Sequence, residues 1–246
     1  MDERIVKEIL DGGKKEVFAE ALDYLEKKAV IPFEVFKELE EQYRQLAFSV
    51  AGYSRLEVLN RFLEELQNAV KEGTTVREFR ANMRRFLEEE GYDGLTPYHA
   101  DMIFRQNMQT AYSVGHYRQM TDPDVLERRK YWQYQTAGDS HVRETHMAMD
   151  GRVFPADSKV WDTWYPPNGF GCRCTVVSRT EEQVKRMGLQ VENDMPKAVD
   201  LETGEIVDAL PDPKFRTNPA KAEWKPDLSG YPKALRNIFE DHYKAK

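Results

Sequence analysis

The stretch Tyr131–Arg179, YWQYQTAGDSHVRETHMAMDGRVFPADSKVWDTWYPPNGFGCRCTVVSR, holds both cysteines, two of the five histidines and three of the four tryptophans. Tyr131-Trp-Gln-Tyr-Gln-Thr136 alternates aromatic and polar side chains, the period of a strand with one buried face. Gly138-Asp139 ends it. Ser140 to Met147 has the pattern of a short helix capped by Asp139 or Ser140, and Asp150-Gly151 is a turn signal. Arg152-Val-Phe154 predicts a second strand, and Cys172 to Ser178 a third. Between them runs a loop with Trp161, Trp164 and Tyr165-Pro-Pro-Asn-Gly169. The spacing predicts a small α+β unit with much irregular backbone.

Outward from this stretch the patterns differ. Upstream, residues 14–28 place Val17, Phe18, Ala21, Leu22 and Leu25 on one helical face. Pro32 suits a first helical turn and opens a helix predicted over 33–50, with Phe33, Phe36, Leu39, Tyr43, Leu46 and Ala47 recurring at helical spacing. Ser54 is the expected cap of a third helix burying Leu56, Leu59, Leu63, Leu66 and Val70, which Gly73 ends. Thr75-Val-Arg-Glu78 is a capping box for a fourth, burying Val76, Phe79, Met83 and Phe86. Thr96-Pro97 opens a fifth that reaches about Met120. Downstream of Asp194, Pro, Asp, Lys and Gly dominate, with Phe215, Trp224 and Tyr231 as single anchors and a closing helix predicted over 235–243. The expectation is an α+β protein, mainly α: a helical bundle (1–120), a loop-rich α+β core (121–193) and an extended arm (194–246).

Composition narrows the function. With 40% apolar and 32% charged residues in 246, the chain has enough apolar material for a buried core. A formal net charge of −7 argues against coating nucleic acid through bulk charge. The basic cluster Arg77, Arg80, Arg84, Arg85 stands beside Glu78, Glu88, Glu89 and Glu90, as on a solvated ion-paired face. No run approaches the roughly 18 apolar residues of a membrane span, and the N-terminus lacks an apolar signal-peptide core, so a soluble protein made in the cytoplasm is expected. Cys172 and Cys174 are too close for an unstrained structural disulfide.

Three chemistries suit the central stretch. His146, Cys172 and Cys174 offer one imidazole and two soft thiolates, a donor set for zinc, with His141 or Asp139 as a fourth ligand. Alternatively, the cysteines are small buried apolar residues and His146 caps a helix. A metal-dependent nuclease or toxin-like site would draw on His141, Glu144 and His146, but the acid, base and cation set Asp139, His141, Arg143, Glu144 and His146 does not all converge on one helix face. In the third, architectural reading, the tryptophans and prolines build a core from loops, pinned by charge pairs such as Asp139 with Arg143 or Asp150 with Arg173. The fifth helix carries a polar set from Arg105 to Arg118 that suits either solvent or a contact surface.

The order Gly138-Asp139, Arg143, His146, Met149-Asp150-Gly151, Val153-Phe154, Trp161, Tyr165-Pro166-Pro167-Asn168-Gly169, Cys172-Arg173-Cys174 closely resembles the phage Mu protein F-like minor head proteins, the phage head-morphogenesis family. Phe104-Arg-Gln-Asn107, Ala47–Gly52, Pro211-Asp-Pro213 and Phe215–Pro219 extend the resemblance over nearly the whole chain. It implies a minor head protein of a tailed phage or prophage, non-enzymatic and without catalytic residues. It further implies association with portal, capsid and scaffold proteins, contact with DNA in some relatives, no membrane, and residence in the host cytoplasm during assembly and then in the virion head. It marks Asp139, Arg143, Asp150, Gly151, Trp161, Pro166, Pro167 and Arg173 as structural motif residues. Other branches carry a C-x-x-C at the Arg143–His146 step and a histidine where Asn168 stands, a set that looks like a zinc site. Here Arg143 stands at the first of those positions, His146 at the second and Asn168 in place of the histidine, which leaves three ligands at most: His146, Cys172 and Cys174.

Overall fold

A computed structural model describes residues 17–199, 203–222, 229 and 232–244. Residues 14–16 of the first predicted helix, and the anchors Trp224 and Tyr231, lie outside the described residues.

Four helices form the bundle: α1 (Ala19–Glu26), α4 (Leu56–Glu72), α5 (Val76–Glu89) and α6 (Pro97–Met120). Their apolar stripes meet in a core containing Tyr24, Leu25, Leu59, Phe62, Leu66, Phe79, Met83 and Val114. The ends are as the sequence predicts. Gly73 closes α4 at φ 67°, a left-handed conformation that glycine adopts without a side-chain clash. The Thr75 hydroxyl accepts from the Glu78 amide, and the Glu78 carboxylate accepts from the Thr75 amide at 2.7 Å. Thr96 caps α6 through the His99 amide. Buried Glu65 joins α4 to α5, accepting from Arg61 at 2.6 Å and Asn82 at 2.9 Å. The Arg77–Arg85 face is ion-paired: Arg80 meets Asp101 and Arg84 meets Glu88.

Two expectations in this half are corrected. Arg55, not Ser54, stands at the start of α4, without a side-chain cap, and Leu56 is 45% exposed. The helix predicted over 33–50 is broken into α2 (Phe33–Glu38) and α3 (Glu41–Arg44), followed by the two-residue strand β2 (Ala47–Phe48). Leu39 turns extended, at ψ 141°. Beyond it the backbone serves a tertiary ladder. β2 runs parallel to β1 (Ala29–Val30), and the amides of Ala29 and Ile31 donate to the carbonyls of Leu46 and Phe48. Leu39, Leu46 and Ala47 remain buried, in a small cluster with Ala29 and Ile31.

Beyond α6, where the helical pattern is expected to stop at Thr121–Asp124, a further short helix α7 (Pro123–Arg128) begins, its first turn capped by the Asp122 carboxylate. The second core is then built on a three-stranded antiparallel sheet, β3 (Tyr131–Gln135) flanked by β4 (Val153–Pro155) and β5 (Thr175–Arg179). Trp132 pairs with Phe154 and Tyr134 with Val176 across it. Helices α8 (Glu144–Met147) and α9 (Val160–Trp164) lie in the connections. The predicted helix over 140–147 is thus one turn, because the Asp139 carboxylate accepts from the His141 amide and binds Arg173 instead of capping a helix. The predicted strand over 172–178 begins only at Thr175. Gly171 at φ 66° and the bond from the Cys172 amide to the Gly169 carbonyl fold both cysteines into the preceding turn.

After α10 (Glu181–Arg186), the hairpin β6 (Lys197–Val199) with β7 (Ile206–Asp208) leads to a segment that crosses both cores. Its Arg216 amide donates to Glu41, its Asn218 side chain donates to the Trp161 carbonyl, and Lys221 pairs with Asp162. A last helix, α11, spans Lys233–Lys244.

Candidate metal centre

The second core is made of aromatic side chains whose polar atoms each find a backbone or side-chain partner. Trp161 Nε1 donates to the Pro155 carbonyl at 2.9 Å, and Trp164 Nε1 to the Ala209 carbonyl at 3.0 Å. Tyr165 donates to the Ser113 carbonyl of α6, and Tyr134 to Asn168 Oδ1 at 2.8 Å. Such bonds allow large amphipathic rings to be fully buried. Trp132 is the exception, its Nε1 buried without a partner among the described residues.

Against this core, His146, Cys172 and Cys174 come together, all three buried, with their ligand atoms within 4.8 Å of one another. α8 presents the imidazole, 1% exposed and edge-on to Trp164, and the 169–174 turn presents both thiols. His146 Nδ1 lies 3.8 Å from Cys172 Sγ and 3.6 Å from Cys174 Sγ. Tetrahedral zinc with ordinary bond lengths sets N–S edges of about 3.5 Å, so the spacing fits such an ion. The other ring nitrogen, Nε2, is buried without a hydrogen bond and faces Asp212 Oδ1 at 3.8 Å. A carboxylate on the far side of an imidazole is the usual partner that orients a metal-bound histidine. The donor set therefore fits zinc, one ligand short of a closed structural site.

The two thiols titrate together. Cys174 donates to Cys172 and so stabilises a Cys172 thiolate, pulling that thiol down, with His146 assisting. That same hydrogen bond to Cys172, then burial and the Cys172 charge, push the Cys174 thiol up. Tyr134, buried beside both, is raised chiefly by desolvation and then by their charge.

The charged motif residues hold this turn, with partners other than those expected. Arg173 forms a two-bond pair with Asp139, at 2.6 and 2.8 Å, which holds the Asp139 carboxyl at about 2. Arg143 pairs with Asp212 at 3.0 Å and donates to the Phe170 carbonyl. Asp150 accepts from the Thr136 amide. The expected pairs Asp139–Arg143 and Asp150–Arg173 are therefore exchanged for links that span loops. Asp139, committed to Arg173, does not join His146 and the cysteines, and neither does exposed His141. Glu144 is exposed as well, while His146 is enclosed, so the three do not share a surface. Gly151, at φ 76°, makes the turn into β4, its amide bonding the Tyr134 carbonyl. Pro166 and Pro167 are buried and joined by a cis peptide bond. Gly169 admits no side chain, because a Cβ there would overlap Asp212 and approach Arg143.

Two contributions were not evident in the sequence. The polar face of α6 is a docking surface: Gln109 donates to the Cys174 carbonyl, Gln106 accepts from the Gly171 amide, and His116 Nε2 lies 3.0 Å from the Val176 carbonyl. Asp212, far along the chain, closes the site from the other side. An amide-rich row on one helix face and an acidic residue between two prolines were the available signals, and neither names its partner.

These features define a helical bundle joined to a loop-rich α+β core, and comparison with known proteins gives its relatives. Residues 60–177 match the family described as Phage Mu protein F like protein. It is 32% identical over 192 residues to the Mu-like prophage FluMu F protein of Haemophilus influenzae, covering 70% of this chain and 46% of that protein. It is 30% identical over 245 residues to the putative capsid assembly protein F of Escherichia phage Mu, covering 85% of this chain and 55% of that one. An uncharacterized protein of Methanocaldococcus jannaschii is 25% identical over 140 residues, covering 56% and 20%. The chain thus spans about half the length of the two phage relatives. No solved structure matches. Among the described residues, no helix is long and apolar enough to cross a membrane.

Proposed function

We propose that this chain is a structural protein of a tailed-phage or prophage head that acts in head assembly, at or near the portal, with His146, Cys172 and Cys174 holding a zinc ion as an internal staple. One observation carries the reading. The arginines and acids of the central stretch that the motif marks are committed to tying loops together, Asp139 to Arg173, Arg143 to Asp212 and Asp150 to Thr136. A relative supports it too, since the phage Mu protein is described as a putative capsid assembly protein. In this role zinc supplies cross-linking: it would join α8 to the 169–174 turn, with Asp212 orienting the imidazole.

The assembly reading is tested by purifying head particles from cells that make them. The chain is expected to co-fractionate with portal and capsid subunits, and its absence would overturn the proposal. DNA contact during packaging is a finer part of the reading, and predicts binding that weakens steeply with salt. For the metal, protein purified without chelator is expected to contain one equivalent of zinc, lost in Cys172→Ser. A metal-free wild type retires the staple.

A further inference from the structure

We propose that a cavity between the bundle, the Pro167–Phe170 turn and the 214–219 segment binds an acidic peptide segment that carries apolar side chains, supplied by a partner protein. The cavity has a volume of about 390 Å³, within the range of small ligand sites. Phe33, Phe36, Phe48, Ile103, Phe170 and Phe215 give it apolar walls. Its basic lining residues are Lys28, Arg44, His99 and Lys214, and no carboxylate lines it among the described residues. That is a marked local reversal in a chain of formal net charge −7.

Two polar atoms in this lining lack partners. Among the described residues, Arg44 Nε and Ser49 Oγ are buried and make no hydrogen bond. The guanidinium is otherwise fixed, donating from Nη2 to the Lys37 carbonyl at 2.9 Å and lying over the Phe36 ring. An immobilised donor left unpaired among aromatic walls is costly unless an acceptor enters. A carboxylate answers both groups, because it accepts from the guanidinium and from the hydroxyl. Lys28, held by the carbonyls of Gln45 and Ala47, adds a further donor to the lining. Lys214 takes φ 72°, a left-handed conformation uncommon outside glycine. Such strain persists where surrounding structure enforces it, often at binding sites. Acid recognised by a basic cluster, with an apolar anchor beside it, is a recurrent mode of peptide docking.

The identity of the occupant as a segment of another head protein rests on the assembly role proposed above; the chemistry of the cavity does not. The test is fluorescence anisotropy with a labelled peptide in which Phe and Leu alternate with Glu, against the same peptide with Lys for Glu. The acidic peptide is expected to bind at least about tenfold more tightly, and Arg44→Glu or Lys214→Glu to weaken it by about tenfold. Ala51→Trp, at an exposed lining position, is expected to block binding while leaving the circular dichroism spectrum unchanged. Equal binding of both peptides, or indifference to all three variants, overturns the proposal. So does tighter, competing binding of decanoate, which would make the site one for a small amphipathic acid. Entry of the chain into head particles is scored separately. No peptide binding by a chain that does enter heads overturns the cavity alone; binding by a chain absent from heads supports the cavity and overturns the assembly role.

Discussion

In the bundle, Phe62, Phe79, Leu66 and Met83 are buried because long helices turn one stripe inward, whereas in the second core Trp132 on β3 and Trp161 and Trp164 on the short helix α9 are buried from small elements joined by loops. The first core is built mainly from apolar side chains at helical spacing, with buried Glu65 held by Arg61 and Asn82. The second also needs acceptors at defined places: the Pro155 and Ala209 carbonyls for two indoles, and Asn168 for Tyr134. A helix satisfies its own backbone and can be assembled by stripe alone. A loop core has to satisfy each group individually. The two regions should therefore fail differently when damaged.

The largest effect tests that difference directly. Trp164→Ala and Phe62→Ala are each expected to lose about 3–5 kcal/mol of stability in urea denaturation. Only Trp164→Ala should also open Cys172 and Cys174 to a thiol reagent under native conditions, because its ring stands against His146. Equal thiol protection in both variants would mean that the two cores act as one.

A smaller effect lies at Lys28, beside the small β1–β2 ladder. Burial lowers its pKa from 10.5 to about 7. Between those values the unfolded chain holds a proton that the folded chain has released, so stability from this group rises with pH across that window. Below about pH 7 both states are protonated and the desolvation penalty is felt in full. The slope approaches about 1.4 kcal/mol per pH unit. Lys28→Met should flatten it while orphaning the carbonyls of Gln45 and Ala47. Denaturant titrations at pH 7 and 9.5 check this: an unchanged gap between wild type and variant at the two pH values would refute the buried charge.

Smallest is the cap. Thr75→Ala removes the capping box at the start of α5 and should cost about 1 kcal/mol. The loss should appear in amide exchange of the first turn of α5 and leave the aromatic core untouched.

Legibility follows the same division. α6, the Thr75–Glu78 box and the Gly73 stop are set by neighbours in sequence, so they were readable. The helix predicted over 33–50 was misread because helical spacing of Leu39, Leu46 and Ala47 also suits a turn and a strand, and the acceptors needed by β1 lie outside any local window. At the site, His146, Cys172 and Cys174 were legible as donors. Their closeness depends on α8 and the 169–174 turn meeting, which spacing cannot establish. The charge pairs were misassigned for a related reason. Asp139 and Arg143 are near in sequence, yet each finds its partner across the fold, in Arg173 and Asp212.

Sequence by itself determined the four bundle helices, the strands around Trp132 and Phe154, the ligand types and the resemblance carried by the ordered motif. These depend on local periodicity, on capping chemistry and on residue identity. Tertiary structure decided that the polar face of α6 receives the Cys174 turn, that Asp212 stands behind His146, and that basic residues distant in the chain surround one apolar cavity. Each of those joins groups separated by long stretches of chain, and their meeting is fixed by how the cores pack.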